Sequence, residues 1–217
     1  LHLHDDLMIS KKTGPTDLVT QMDQQIQNDL VEKITNRYPE DRIFAEEDDL
    51  RSPISEGSVW VIDPIDGTNN FVTQKEDFAV MVAYFEDGIG RFGLIYDVMR
   101  DYLFYGGGEF PVYRNDLELT PFVDQPLENF LIASNVGMLE KNDWGMADLG
   151  MDSLGIRVYG SAGISFSKIL SGGILAYFSY IWPWDYAAAA IMGKRLGYTV
   201  LNLNGDKPNY QTVEPIM

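Results

Sequence analysis

Apolar residues are spaced so that the first half of the chain reads as a helix followed by strands. The helical spacing is carried by Val19, Met22, Ile26, Leu30 and Ile34. The proline of "RYPE" ends this pattern, so we predict an amphipathic helix over 18–34. The short apolar run "RIFA" and the β-branched and aromatic run "SVWVI" (58–62) then predict two strands, the second of them buried.

The stretch 78–108 predicts an antiparallel meander. Three apolar runs are separated by a turn at Asp87-Gly88 and another over 97–100. Asp-Gly between apolar runs is typical of a tight hairpin turn. We therefore expect three consecutive strands that pair in chain order.

The last third of the chain alternates between strand and helix patterns. Strands are predicted at 128–135, 156–160 and 174–181, helices at 161–173 and 184–197, and a strand followed by a turn over 198–206. The second helix is rich in alanine, carries Lys194 and Arg195 in its last turn and ends at Gly197, as a well-formed helix C-terminus should. The pattern as a whole indicates an α/β protein with strong antiparallel content.

Composition limits the classes of partner. The chain has 217 residues, 45 % of them hydrophobic, which is enough for a sizeable core. Its 16 basic and 33 acidic residues give a net charge of -17, so nucleic acid or an anionic membrane would be repelled, and a phosphate-bearing substrate would need a cationic mediator. There is no cysteine, no run of about 18 apolar residues and no secretory signal pattern, so we expect a soluble cytoplasmic protein.

The stretch "DPIDGTNNF" (63–71) adds two carboxylates at the end of the buried strand. Taken alone, Asp63 and Asp66 are explained by turn and capping chemistry. A calcium loop of the EF-hand type does not fit, because Ile65 and Thr68 occupy the positions that need Asp or Asn and Gly. The flexible Gly67 would let the backbone approach a ligand closely, and a helix starting there would present free N–H groups to a phosphate.

Two further acidic positions favour a metal site. Glu46 follows the preceding strand, and Asp185 lies between aromatic residues at the start of a helix, where an ionised carboxylate needs a compensating charge or a helix cap. With Asp63 and Asp66 they form an all-oxygen set of the kind that holds Mg²⁺. The Thr68 hydroxyl lies beside this set in the sequence. Bound cations would then attract a phosphate to an acidic protein.

Five motifs resemble those of the inositol monophosphatase family. "DPIDGTNNF" resembles the family's first signature and "WPWDYAAAA" its second, while "GPTDLVTQMD", "AEED" and "GSAGIS" are similar to three further conserved segments. The motifs occur in the family's order from about residue 12 to residue 190. The resemblance therefore covers most of the chain.

This resemblance implies a layered α/β/α/β/α sandwich of the kind shared with fructose-1,6-bisphosphatases, usually assembled as a homodimer. It implies one compact catalytic unit, in which an N-terminal half (1–125) carries the first metal motif and a C-terminal half (126–217) carries the second. The implied activity is Mg²⁺-dependent hydrolysis of a small phosphate monoester, sensitive to lithium.

The resemblance also implies a ligand set. Glu46, Asp63 and the carbonyl of Ile65 would hold a first Mg²⁺, and Asp63, Asp66 and Asp185 would hold a second. A third, weaker ion is expected near Glu46. The site would thus contain two to three ions.

Further roles follow from the same resemblance. Thr68, paired with Asp23, would orient and deprotonate the attacking water, and Glu46 would assist beside its ion. The phosphate would rest on the backbone of Gly67 and Thr68, with Lys12 on a loop near the metals. The alcohol side would be lined by Gly160, Ser161 and Ala162.

The natural substrate is left open by the sequence. Animal members carry a glutamate seven residues before the second-signature aspartate, and counting back from Asp185 gives Phe178, which cannot accept the hydrogen bonds of a polyol. The leading candidate substrate is inositol monophosphate or a similar polyol phosphate. The alternative substrates are 3′-phosphoadenosine phosphate, NADP and fructose 1,6-bisphosphate. A metal-loaded binding or regulatory protein is the non-enzymatic alternative, although it would have no need of the pair formed by Thr68 and Asp23.

Overall fold

A computed structural model of the chain describes residues 9–11, 18–47 and 50–217. The first part contains two short antiparallel strands, β1 (Ile9–Lys11) and β2 (Leu18–Thr20), followed by helix α1 (Gln21–Arg37). The predicted helix is therefore confirmed from Gln21 onward, whereas the prediction was wrong for Leu18–Thr20, which forms a strand.

A seven-stranded sheet follows, with its strands in chain order. Its strands are β3 (Arg42–Ala45), β4 (Ser58–Asp66), β5 (Ala79–Glu86), β6 (Ile89–Asp97), β7 (Tyr102–Gly107), β8 (Phe110–Arg114) and β9 (Leu117–Glu118). Only the pair of β3 and β4 is parallel, and the other pairs are antiparallel. The predicted meander is confirmed in β5, β6 and β7. Helix α2 (Thr68–Thr73) connects β4 to β5.

A second, four-stranded sheet belongs to the C-terminal part. Its strands are β10 (Ile132–Ser134), β11 (Ile156–Arg157), β12 (Tyr177–Ile181) and β13 (Glu214–Ile216), in the order β11-β10-β12-β13. Strand β10 is parallel to β11 and β12, whereas β13 is antiparallel to β12. The helices of this part are α3 (Val136–Lys141), α4 (Met146–Asp152), α5 (Ala162–Leu170) and α6 (Pro183–Arg195).

The predicted strands of this part were too long. Within 198–206 the predicted turn is confirmed, whereas the predicted strand before it was wrong. The chain there forms a turn in which the Asn202 side chain accepts hydrogen bonds from the N–H groups of Asn204 and Asp206. Asn202 itself makes only an isolated bridge to Ile216. Side chains of this type satisfy the backbone locally, so they favour a turn over continued strand pairing.

The main core lies where α5 and α6 pack against the large sheet. One apolar cluster joins Val59 and Val61 of β4 and Ile95 of β6 to both helices. Helix α6 approaches β6 so closely that a Cβ on Gly93 would lie 2.4 Å from the carbonyl oxygen of Ala188. This close contact therefore requires both the small alanine side chains of the helix and the glycine of the strand.

Strand β4 is covered on its other face as well. Ile62 packs there with Ile34 of α1 and with Ile43 and Ala45 of β3. Strand β4 therefore runs through the interior, and the side chains at its C-terminal end are buried. Among the described residues, no helix is both long and apolar enough to cross a membrane.

Candidate metal centre

Three aspartates from two distant segments meet at one point. Asp63 and Asp66 end β4, and Asp185 lies in the first turn of α6. Each offers a carboxylate oxygen, and these three oxygens lie within 4.8 Å of one another. A regular strand would turn residues three apart to opposite faces, but the pairing of β4 with β5 shifts register between Asp63 and Asp66. This irregularity accounts for two carboxylates of one strand reaching the same site.

The three carboxylates repel one another in a buried setting. Burial raises the pKa of Asp63 well above its usual value, and the charges of Glu46, Asp66 and Asp185 raise it further. The pKa of Asp185 is raised in the same way, first by burial and then by Asp66 and Glu46, and is partly lowered by the Trp182 N–H, which lies 2.6 Å from Asp185 Oδ2. Ionised carboxylates in such a group need a cation to offset their repulsion.

Asp66 is held by hydrogen bonds from the start of α5. The Ser161 hydroxyl donates to Asp66 Oδ2, the Ala162 N–H donates to Oδ1 at 2.9 Å, and the Gly163 N–H donates to Oδ2 at 2.8 Å. Burial raises the pKa of Asp66 to about 6, and these donors oppose the rise because they favour the charged form. Gly163 is tightly placed, because a Cβ there would lie 2.7 Å from the Ala79 Cβ.

The residues present fit a hard divalent cation. The donors are all oxygens, as Mg²⁺ prefers. Asp63 is 1 % exposed, and its Oδ1 atom has no hydrogen-bond partner among the described residues. A buried carboxylate oxygen without a donor is costly unless a cation lies against it.

Glu46 belongs to the same cluster by its electrostatic effect. Its charge raises the pKa of Asp63, Asp66 and Asp185. Its N–H donates to the Ile62 carbonyl at 3.1 Å, which fixes the segment that follows β3 beside β4. Three of the four carboxylates that the sequence grouped, those of Asp63, Asp66 and Asp185, therefore have oxygens within 4.8 Å of one another, and Glu46 acts on them through its charge.

Gln27 holds the next residue of this segment and was not predicted. Its carboxamide forms two hydrogen bonds of 2.9 Å with the N–H and the carbonyl of Glu47. Both Gln27 and Asp23 of α1 are completely buried. The sequence did contain a signal for these two residues. Asp23 and Gln27 are polar residues four positions apart beside the apolar stripe, so they lie on one face of the helix.

Thr68 and Asp23 are in contact. Thr68 Oγ1 lies 3.1 Å from Asp23 Oδ1 and 3.1 Å from the Ile65 carbonyl oxygen. Thr68 is the first residue of α2, and Gly67 before it has a φ of 85°. A Cβ on Gly67 would also lie 2.9 Å from the Ser161 Cβ. The first N–H groups of α2 have no intrahelical acceptor and follow Asp66 directly in the chain.

Arg51 links two of the metal-site segments, and no sequence signal pointed to it. Its guanidinium donates to the carbonyls of Ala45 and Glu46. The guanidinium carbon also lies 4.6 Å from the centre of the Trp184 ring, one residue before Asp185. A cation–π contact of this kind attaches the Glu46 segment to the start of α6.

The remaining predicted residues are placed as follows. Gly160 has a φ of 70° and directly precedes the Ser161 and Ala162 groups that bind Asp66. Lys12 lies outside the described residues. Phe178 is packed with Ile132, Met138 and Met146 in an apolar cluster, so it is a core residue.

Comparison with known proteins identifies the family of the chain. The model of the inositol monophosphatase family matches residues 1–217. The chain is 36 % identical over 212 residues to the inositol-1-monophosphatase of Bacillus subtilis, an alignment that covers 94 % of this chain and 79 % of that protein. It is 27 % identical over 216 residues to human inositol monophosphatase 2, covering 94 % and 74 % of the two chains.

Solved structures give the same result. A crystal structure of an IMPase/NADP phosphatase with Mg²⁺ and phosphate matches with a TM-score of 0.89 and 27 % identity, over 97 % of this chain and 80 % of that chain. A lithium-soaked inhibitory complex of staphylococcal inositol monophosphatase-1 matches equally, with a TM-score of 0.89. The chain belongs to the inositol monophosphatase family. The predicted fold class is thereby confirmed.

Proposed function

We propose that this chain hydrolyses small phosphate monoesters with Mg²⁺ held by its clustered carboxylates. The observation that carries the proposal is the convergence of Asp63, Asp66 and Asp185, whose oxygens lie within 4.8 Å of one another. The buried Oδ1 atom of Asp63 also has no hydrogen-bond partner among the described residues. Family membership supplies the reaction class. Hydrolysis of inositol monophosphate or a similar polyol phosphate is the leading form of this proposal.

The carboxylates divide between the ions in this proposal. Glu46, Asp63 and the Ile65 carbonyl would hold one ion, and Asp63, Asp66 and Asp185 would hold another, with a third near Glu46. Bound Mg²⁺ would lower the pKa of a water molecule and would neutralise the charge that develops on the phosphoryl group. The bound cations would turn a strongly acidic region into one that accepts an anion.

Thr68 and Asp23 would orient the attacking water. When the Thr68 hydroxyl donates to Asp23, its oxygen lone pairs remain available to accept a hydrogen bond from water. Asp23 is fully buried, so its carboxylate is a fixed acceptor. The pair thus sets the direction of the threonine hydroxyl.

The phosphate and alcohol would lie on either side of this pair. The N–H groups at the start of α2, at Gly67 and Thr68, would receive the phosphate. The segment from Gly160 to Ala162 would border the alcohol, while Ser161 and Ala162 also bind Asp66. Lys12, which lies outside the described residues, would contribute a positive charge to the phosphate site.

A nucleotide phosphate is a second candidate substrate, favoured by Trp182. This indole is 41 % exposed, and its ring is stacked on Trp184 at 5.0 Å between centroids. The backbone N–H of Trp182 donates a hydrogen bond to the Asp185 carboxylate. A flat, supported aromatic surface beside a metal ligand suits the stacking of a purine base. Structural relatives have been crystallised with NADP and with 2′AMP.

Phosphate release from a substrate panel tests the proposal. The panel is inositol 1-phosphate, fructose 1,6-bisphosphate, 3′-phosphoadenosine 5′-phosphate and NADP, each with Mg²⁺ or with a chelator. We expect Mg²⁺-dependent release that Li⁺ inhibits and that Asp185→Asn abolishes. Mg²⁺ binding without release from any ester would favour the binding or regulatory protein. Trp182→Ala should lower kcat/KM for the nucleotides alone if they are the substrates.

Assembly and location complete the proposal. We expect a homodimer in which each protomer is one compact catalytic unit. We also expect a cytoplasmic location. Both expectations rest on the resemblance to the family. Sedimentation equilibrium would test the first, because a mass of 24.5 kDa for the chain separates clearly from its double.

A further inference from the structure

Asn70 lies in α2 close to the metal site and has a specific set of partners. The residue is 7 % exposed to solvent. Its Nδ2 donates to the Asp77 carbonyl at 2.9 Å and to the Tyr159 carbonyl at 2.7 Å. Its Oδ1 accepts from Gln74 Nε2 at 2.9 Å. Both donor hydrogens of the carboxamide are therefore used, and its acceptor is also engaged.

Only a carboxamide of this length meets these requirements. The two carbonyls accept and never donate, so the group facing them must supply two N–H bonds. The third partner requires an acceptor in the same plane. An aspartate in place of Asn70 would oppose oxygen to oxygen at both carbonyls, and serine or threonine would supply one donor at most.

The contact to Tyr159 joins two parts of the chain that are 89 residues apart. Gly160 follows, and a Cβ there would lie 3.0 Å from Asn70 Oδ1. The backbone therefore passes directly over the carboxamide. Immediately afterwards come the donors to Asp66, which are the Ser161 hydroxyl and the N–H groups of Ala162 and Gly163.

We infer that Asn70 is a positioning residue that sets the Mg²⁺ affinity of Asp66 through residues 159–163. The inference rests on the proposed function, since it concerns the same metal site. Three hydrogen bonds orient the Asp66 carboxylate, and all of them come from the segment that Asn70 fixes. Groups that orient a metal ligand typically change metal affinity by about 10–100-fold when they are removed.

Loss of the Asn70 amide would act along this path. The carbonyls of Asp77 and Tyr159 would lose their donors, and the segment would relax to satisfy them elsewhere. The Asp66 carboxylate would then keep its charge but lose its fixed direction. We expect weaker metal binding with chemistry that recovers when Mg²⁺ is saturating.

Calorimetric titration of Mg²⁺ into the metal-free protein tests the inference. We compare wild type with Asn70→Ala, with Asn70→Asp, which keeps the volume, and with Asn135→Ala. Asn135 is a matched control because its carboxamide also joins distant segments, donating to Ser179 Oγ at 3.1 Å and accepting from the Met138 N–H at 2.8 Å. We expect affinity about tenfold weaker in both Asn70 variants and unchanged in Asn135→Ala.

Two further readouts separate positioning from general destabilisation. Hydrogen exchange at the Ala162 and Gly163 amides should accelerate in Asn70→Ala and stay the same in Asn135→Ala. In the phosphatase assay, the Mg²⁺ concentration for half-maximal rate should rise about tenfold, while kcat at saturating Mg²⁺ returns to within about threefold of wild type.

The outcomes are distinct. Wild-type Mg²⁺ affinity in a folded Asn70→Ala or Asn70→Asp protein would overturn the inference and leave the proposed function intact. Loss of the folded state in both Asn70 variants, with Asn135→Ala folded, would also overturn it, because Asn70 would then be of general structural importance. Absence of Mg²⁺ binding by wild type would instead overturn the proposed function.

Discussion

Thr68 Oγ1 lies 3.1 Å from Asp23 Oδ1, although the two residues are 45 positions apart. Asp23 is fully buried in the first turn of α1, and Thr68 opens α2 immediately after the bend that carries Asp66. The same hydroxyl is 3.1 Å from the Ile65 carbonyl, so its proton has two acceptors and its oxygen remains free to accept. This contact connects the first helix to the metal-binding bend.

Replacement of the Thr68 hydroxyl should slow chemistry more than metal binding. Thr68→Val keeps the shape of the side chain but cannot orient water, so we expect kcat to fall at least about 100-fold, the lower end for proton-transfer catalysis. Thr68→Ser keeps the hydroxyl and should retain most of the activity. Steady-state kinetics and Mg²⁺ titration measure the two effects. Equal kcat values for Thr68→Val and Thr68→Ser would contradict the role given to the hydroxyl.

Asp63 should be the most sensitive carboxylate, because the proposal assigns it to two ions. Asp63→Asn keeps the shape and removes the charge, and we expect turnover to fall by at least about 10³-fold, as for loss of a principal electrostatic stabiliser. Asp152→Asn is the control, since Asp152 is exposed at the end of α4. Near-normal turnover of Asp63→Asn at saturating Mg²⁺ would refute its assignment as a ligand.

Sequence alone was sufficient for much of this arrangement. Helix α6 and the meander of β5, β6 and β7 have strong local patterns that tertiary packing does not reverse. The grouping of Asp63, Asp66 and Asp185 came from their unusual contexts and from the family motifs. These are features in which local chemistry and global fold agree.

Other features depend on contacts that no local pattern contains. Leu18–Thr20 pairs with β1, and three residues are too few to distinguish a strand from a helix start. The register shift between Asp63 and Asp66 and the donation from Gly163 to Asp66 exist only in the folded chain. Phe178 was aligned by counting, but the alternation along β12 places its ring in a core cluster.

The metal-free protein should become less stable as pH rises through the titration range of the cluster. Burial raises the pKa of Asp66 to about 6 and raises the pKa of Asp63 and Asp185 as well. The folded state therefore binds protons more tightly than the unfolded chain, whose aspartates titrate near about 3.9. The resulting stabilisation is complete below about pH 4 and is lost as pH rises through about 6 and above.

Differential scanning calorimetry with Mg²⁺ or with a chelator checks this pH dependence. We expect the Mg²⁺-induced rise in Tm to grow between about pH 5 and about pH 7.5, because cations replace the lost protons. Asp152→Asn should behave as wild type and Asp66→Asn should show a smaller increase. A Mg²⁺ effect of constant size across this range would contradict the coupling.

Phe178→Glu should destabilise the protein and leave it without improved selectivity for inositol phosphate. The new carboxylate would be buried among Ile132, Met138 and Met146, and an uncompensated buried charge costs about 3–5 kcal/mol. Phe178→Leu, which keeps an apolar side chain, should lose much less. Urea unfolding measures both effects. A stable Phe178→Glu protein with a lower KM for inositol 1-phosphate would show that this side chain reaches the substrate.

The most direct test of the central claim is anomalous diffraction from crystals soaked in Mn²⁺, a substitute for Mg²⁺ with a usable absorption edge. We expect anomalous peaks within coordination distance of the Asp63, Asp66 and Asp185 carboxylates, with the peak between Asp66 and Asp185 absent in Asp185→Asn. A soaked wild-type crystal with no peak among these three carboxylates would contradict the account.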